Sequence, residues 1–84
     1  MNLAAAHYVY IVRCADKSLY TGYTTDIGRR IGEHNRSQGA KYTRGRGPVE
    51  LVYEEEYASR SEAQKREYQI KQLTREQKLD LIKE

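Results

Sequence analysis

The run His7 to Cys14, HYVYIVRC, constrains this chain more than any other stretch, because β-branched and aromatic side chains occupy both of its alternating faces. Such a strand must be covered on two sides, so it belongs at the centre of a sheet with chain packed above and below. The supply of chain is short. At 84 residues one domain is expected, and folding buries only somewhat more than ~60% of the unfolded surface. Neither Phe nor Trp is present, so the eight tyrosines supply much of the aromatic bulk, each with a hydroxyl that needs a partner.

The polar break Ala15 to Ser18 and the β-type run Leu19 to Tyr23 turn this strand into a hairpin. For Tyr10 and Tyr20 to share a face, the loop must hold an odd number of residues or a strand must carry a bulge. Gly22 marks a bulge or a close approach. Thr24, Thr25 and Asp26 offer an N-cap for a helix over about Ile27 to Arg36, with Ile27, Ile31 and His34 inward and Arg30 on the stripe's edge. Ser37 to Pro48 reads as a polar loop, too polar to be buried and long enough to close over a polyanion. Val49 to Tyr57 is a third strand, with Leu51 and Tyr53 alternating against Glu50 and Val52, and its acidic run Glu54 to Glu56 is expected to be a solvated strand end. Ser59 and Glu62 have capping-box spacing and open a helix to about Gln72, while Thr74 and Gln77 repeat the box before a short helix docked through Leu79, Leu81 and Ile82. The expected fold is one α/β domain over residues 1–84, a three-stranded antiparallel sheet flanked by helices in the order β-β-α-β-α-α, with residues 1–6 disordered.

The single Cys14 excludes an intramolecular disulfide and a cysteine-cage zinc site, which fits a reducing compartment. The first six residues are too short for a signal-peptide core and no stretch approaches a membrane span, so a cytoplasmic protein is expected. Net charge is +3 but uneven: residues 1–47 carry eight Lys/Arg against three acids, residues 48–84 seven against nine. The basic part coincides with the tyrosine part, as a phosphate backbone would require, although a merely solvated face has the same composition.

Within that part Arg30 and His34 stand one helical turn apart, and a guanidinium fork suits phosphoryl oxygens. A salt-bridged arginine and a hydrogen-bonded core histidine would look the same. Glu67 recurs with Ala63 and Ile70 on an inward stripe, where a carboxylate is costly unless paired or metal-bound. By themselves Tyr10 and Tyr20 would read as core tyrosines.

Their order is more specific than their chemistry. Val9-Tyr10-Ile11 and Tyr20-Thr21-Gly22, with their tyrosines ten residues apart, resemble the two motifs of the GIY-YIG nuclease family; Arg30 follows Tyr20 by ten, His34 follows by four with Asn35 after it, and Glu67 lies in the helix after the third strand. The resemblance covers nearly the whole chain. Tyr8, Val9 and Thr21 replace a glycine and two isoleucines of the family motifs, leaving both tyrosines in place. Family nucleases usually carry a second domain that chooses the DNA, so this chain looks like the small stand-alone bacterial members, with targeting left to a partner protein.

The resemblance implies a metal-dependent DNA endonuclease, with DNA repair or recombination as its setting and branched or flapped DNA as candidate substrates. It implies Tyr10, Tyr20, Arg30 and His34 as catalytic residues and Glu67 as ligand of one Mg²⁺ or Mn²⁺, for which one carboxylate plus waters and a phosphate oxygen is an ordinary arrangement. Lys17, Arg29, Asn35, Lys41, Tyr42, Arg44 and Arg46 are the candidate nucleic-acid contacts. Tyr10 is the preferred base, Tyr20 its positioning partner. A phenol of pKa about 10 is only ~0.1% ionised at pH 7, a deficit of about 4 kcal/mol that neighbouring cations are expected to reduce. The alternative is a nucleic-acid-binding module that keeps the scaffold without turnover.

Overall fold

The structure, a computed structural model, describes residues 6–36 and 38–83. The expectation of disorder over residues 1–6 concerns a segment that, but for Ala6, lies outside the described residues. The elements are β1 (His7–Arg13), β2 (Leu19–Thr24), α1 (Ile27–Asn35), a 3-10 turn at Lys41–Thr43, β3 (Glu50–Tyr57), α2 (Arg60–Lys71) and α3 (Arg75–Ile82). One antiparallel sheet has the order β2-β1-β3, so the strand that is apolar on both faces is the central one.

Five residues separate Arg13 from its partner Leu19, an odd number, and no bulge interrupts the hairpin; Tyr10 pairs with Gly22 and Val12 with Tyr20. Tyr10 and Tyr20 therefore project from the same face. The turn is held by Asp16, whose carboxylate accepts the Ser18 N–H at 3.0 Å, while Lys17 takes φ 75°. The irregularity is in the other ladder. Between Ile11 and Val12 the register to β3 skips Val52, so Leu51 and Tyr53, expected on one face, lie on opposite faces.

Each face has its own cover. Tyr10, Val12 and Cys14 pack with Ile27 and Ile31 of α1, whereas Val9 and Ile11 pack with Ala63 and Ile70 of α2 and with Leu81 and Ile82 of α3. Val9, Tyr10, Ile11 and Val12 are wholly buried. At ~1.5–3 kcal/mol for each fully buried large side chain, this one strand supplies a large share of the apolar stabilisation. Asp26 caps α1 through the Arg29 N–H at 3.0 Å, and Thr74 with Gln77 makes the complete capping box of α3. At α2 only half of the box forms: Ser59 accepts the Glu62 N–H, but the Glu62 carboxylate takes the Ser59 hydroxyl instead of its backbone N–H.

Two sequence expectations are corrected in part. The loop after α1 is exposed over most of its described residues, but Gly39 and Thr43 are buried, and it is tied to the hairpin turn where the Ala15 N–H donates to Arg46 O at 2.8 Å and Arg46 bridges Asp16 at 2.5 Å. Its polar side chains find partners in the hairpin turn and α1, which is what permits burial. The acidic run is not uniformly solvated either. Glu54 and Glu56 are exposed, but Glu55 turns onto the α2 face, accepts from Tyr57 at 2.5 Å and from Tyr53, and is forked by Arg66 at 2.9 and 3.1 Å. Strand alternation sends the middle carboxylate inward, and the arginine on α2 meets it.

Candidate active site

The site lies where β2, the edge strand, leaves the sheet open between α1 on one face and α2 on the other. Tyr10 begins on the central strand, yet its ring crosses β2: a Cβ on Gly22 would sit 2.4 Å from the Tyr10 hydroxyl oxygen. Gly22 is thus a close-approach glycine, and its missing side chain lets the phenol reach toward the edge. Sequence had left open whether it marked a bulge or an approach.

His34 fixes the phenol. Thr43 donates its single hydroxyl proton to Ala40 O at 2.9 Å, so toward His34 Nδ1, 2.7 Å away, it can only accept. The imidazole therefore carries its proton on Nδ1, and Nε2 accepts from the Tyr10 hydroxyl at 2.9 Å. Burial, then the charge of Arg30, hold the His34 pKa down, which keeps the ring neutral. Gly39 closes on the same ring, since a Cβ there would lie 2.3 Å from Nδ1. No local pattern announces either Thr43 or Gly39, because both act through a contact across a loop.

The tyrosines differ in access. Tyr10 is 0% exposed, and burial pushes its pKa up to about 12, with Arg30 opposing and the charges of Tyr20 and Glu67 adding. Arg30 lowers the phenol's pKa, as expected of a neighbouring cation, but desolvation outweighs that single guanidinium. Tyr20 is half-buried, edge-on to His34 at 5.6 Å, and stacked on Tyr42 at 5.8 Å. Among the described hydrogen bonds none engages the Tyr20 hydroxyl.

Arg30 pairs with Glu33 at 2.8 Å along its own helix and lies beside the Tyr10 hydroxyl, which leaves other donors of its fork available. Glu67 is near enough for its charge to act on Tyr10, and its side chain, 20% exposed, meets Lys71 Nζ at 3.0 Å. That lysine, one turn on, is legible as an i,i+4 partner although its role had not been assigned. Among the described residues no three His, Cys, Asp or Glu gather as a metal cage. A lone, mostly covered carboxylate with one flexible ammonium partner still suits a hard divalent ion held otherwise by water and phosphate.

The remaining candidates divide. Tyr42 carries Arg46 over its ring at 4.5 Å, so Tyr20, Tyr42 and Arg46 form a stack beside the site. Arg29, Lys17, Lys41 and Arg44 are exposed, Arg29 within 3.9 Å of Glu33. Asn35 is committed elsewhere. Its side-chain oxygen accepts the Val49 N–H at 2.6 Å and its amide donates to Val49 O at 3.4 Å, which ties α1 to the start of β3.

The GIY-YIG catalytic domain model matches residues 6–80. A UPF0213 protein of Staphylococcus aureus is 62% identical over 79 residues, covering 94% of this chain and 96% of its own. Among solved structures, the UPF0213 protein BH0048 from Bacillus halodurans is 53% identical with a TM-score of 0.60, covering 92% of this chain and 82% of that one. The protein EF2693 from E. faecalis is 48% identical with a TM-score of 0.61, covering 93% of this chain and 83% of that one. With its two tyrosines converging at an open strand edge and the family model spanning nearly the whole described fold, this chain belongs to the GIY-YIG nuclease family.

Proposed function

We propose that the chain is a metal-dependent endonuclease that hydrolyses a DNA phosphodiester at the open edge of β2. The observation that carries this reading is the convergence there of the Tyr10 hydroxyl, oriented by His34, with Arg30, Tyr20 and the charge of Glu67. Arg30 would bind non-bridging oxygens of the scissile phosphate, its Glu33 partner keeping the fork directed. Glu67 would hold one Mg²⁺ or Mn²⁺, which when bound supplies charge stabilisation on the leaving oxygen. Lys71, at 3.0 Å, would hold that carboxylate in place until then.

Burial and the proton it shares with His34 suit Tyr10 to donating a hydrogen bond. Tyr20, half-exposed and with its hydroxyl uncommitted, is the better candidate to take the proton of the attacking water, so we exchange the two roles expected from sequence. A phenol must lose its own proton before it accepts another.

Incubating the protein with labelled single-stranded, flapped and branched DNA, with Mg²⁺, Mn²⁺ or EDTA, tests the reading. Metal-dependent cleavage lost in Glu67→Ala with binding intact supports it; metal-independent binding without cleavage on every substrate replaces it with a non-catalytic binding module.

A further inference from the structure

Two cavities open on the same strand edge as the proposed site, one at each end of β2. The first, of about 330 Å³, lies at the Tyr23–Thr24 end and gathers Arg29, Arg30 and Arg60 against the single carboxylate Glu33. The second, of about 200 Å³, lies at the Leu19 end between Ser18, Leu19 and Tyr42 on one side and Arg75 and Lys78 of α3 on the other. Each straddles the edge: Arg60, Arg75 and Lys78 come from the helices over one face, Arg29 and Tyr42 from the segments over the other. The strand sets the separation: Leu19 to Thr24 spans ~17 Å at ~3.3 Å per residue.

Arg29 and Arg30 share Glu33, but the remaining cations at the two ends are uncommitted. Among the described residues no ion pair reaches Arg60, Arg75 or Lys78, and Arg60 only leans on the Tyr23 ring at 5.8 Å. Lys78 is half-buried beside Arg75 in the second cavity, and burial, then the charge of Lys71, depresses its pKa, a cost that an anion drawn into that cavity offsets. On β2, Tyr20 and Gly22 lie between the two cavities, and Arg30 lines the first.

We propose that the edge of β2 is a track for one DNA strand, in which Arg60 with Arg29 at one end and Arg75 with Lys78 at the other hold phosphates on either side of the scissile one. This rests on the nuclease reading and adds the strand's path and three contacts to it. At ~3.4 Å of axial rise per nucleotide in a duplex strand, the groove takes about five nucleotides. The stack of Tyr20, Tyr42 and Arg46 forms its wall near the second cavity.

Binding in EDTA, with no turnover, tests the track. A fluorescent 12-nucleotide single strand and a matching duplex are titrated with the native chain, with Arg60→Gln, with Arg75→Gln/Lys78→Met and with the control pair Lys65→Gln/Lys83→Gln, at several salt concentrations. The methionine keeps the apolar stem of Lys78, and circular dichroism of each variant checks folding. The expected result is on the order of tenfold weaker binding for the α3 pair, with the salt slope shallower by ~2, a loss of ~1 in slope for Arg60→Gln, and less than twofold change for the control. Equal losses in the α3 pair and the control, or no loss in either, overturn the track and leave cleavage, if present, standing. A position-specific loss in a chain that never cleaves keeps the track while the nuclease reading fails, and a native chain that binds no DNA removes both.

Discussion

The molecule contains two clusters built from the same residue types, tyrosines, an arginine and a glutamate, at opposite sides of one sheet. On β3, Glu55 accepts from Arg66, Tyr53 and Tyr57, so its hydrogen-bonding capacity is spent inside the protein. On the β2 edge, Glu67 has one lysine, Tyr20 has no hydroxyl partner among the described residues, and Arg30 adjoins a cavity. The chemistry is shared and the satisfaction is not. A closed network stiffens a fold, whereas an open one beside a cavity retains donors and acceptors for a substrate.

The largest test of that contrast is functional. Glu67→Gln should lower cleavage by on the order of 10³-fold, as loss of a metal-ion contribution of several kcal/mol implies, and move the melting temperature little. Arg66→Ala should do the reverse, costing ~2–3 kcal/mol by stranding Glu55 while the folded fraction keeps its specific activity. If both variants lose activity in proportion to stability, the two clusters are not functionally distinct.

Packing at the open cluster is the next test. Gly22→Ala places a Cβ 2.4 Å from the Tyr10 oxygen, so it should destabilise by ~1–3 kcal/mol and displace the phenol, lowering cleavage further than the stability loss explains. Thermal melts alongside single-turnover cleavage read the two effects separately.

Stability against pH separates the clusters on the acid limb, whereas Tyr53 of the closed cluster, also raised to about 12, shares the alkaline limb with Tyr10. Burial raises Glu55, but hydrogen bonds from Arg66, Tyr53 and Tyr57 more than reverse it and bring its pKa down to about 2. Its contribution is complete above the ordinary carboxylate pKa and is lost, up to ~3 kcal/mol, as pH falls from about 4.5 through 2. Tyr10, at about 12, works in the opposite sense: its contribution is complete below pH 10 and is lost, about 2–3 kcal/mol, as pH rises through 12. Denaturant melts should show Arg66→Ala flattening the acid limb and Tyr10→Phe softening the alkaline one.

The smallest effect is a gain. Thr21 Oγ1 is buried with no hydrogen-bond partner among the described residues, so Thr21→Val should stabilise by about 1 kcal/mol in urea melts and leave cleavage unchanged.

Local sequence carried much of this. The double-faced apolar run His7 to Cys14 required a central strand, and the Asp26 and Thr74 caps were readable as chain punctuation. The inward stripe of α1 was equally legible, with His34 on it, and so was the odd loop condition that places Tyr10 and Tyr20 on one face. These are consequences of backbone periods and cap chemistry, which act over a few residues. Tertiary structure decided the rest. That Glu55 is consumed while Glu67 stays open depends on which strand is the edge and which helix lies over which face, and periodicity in either segment is blind to both. The burial that raises Tyr10, the Thr43 hydroxyl that sets the His34 tautomer, and the meeting of Arg60, Arg75 and Lys78 with one strand edge arise from contacts between distant parts of the chain. Charge and residue type can be read along a sequence, but desolvation and satisfaction are properties of what surrounds a group, and only the folded chain supplies the surroundings.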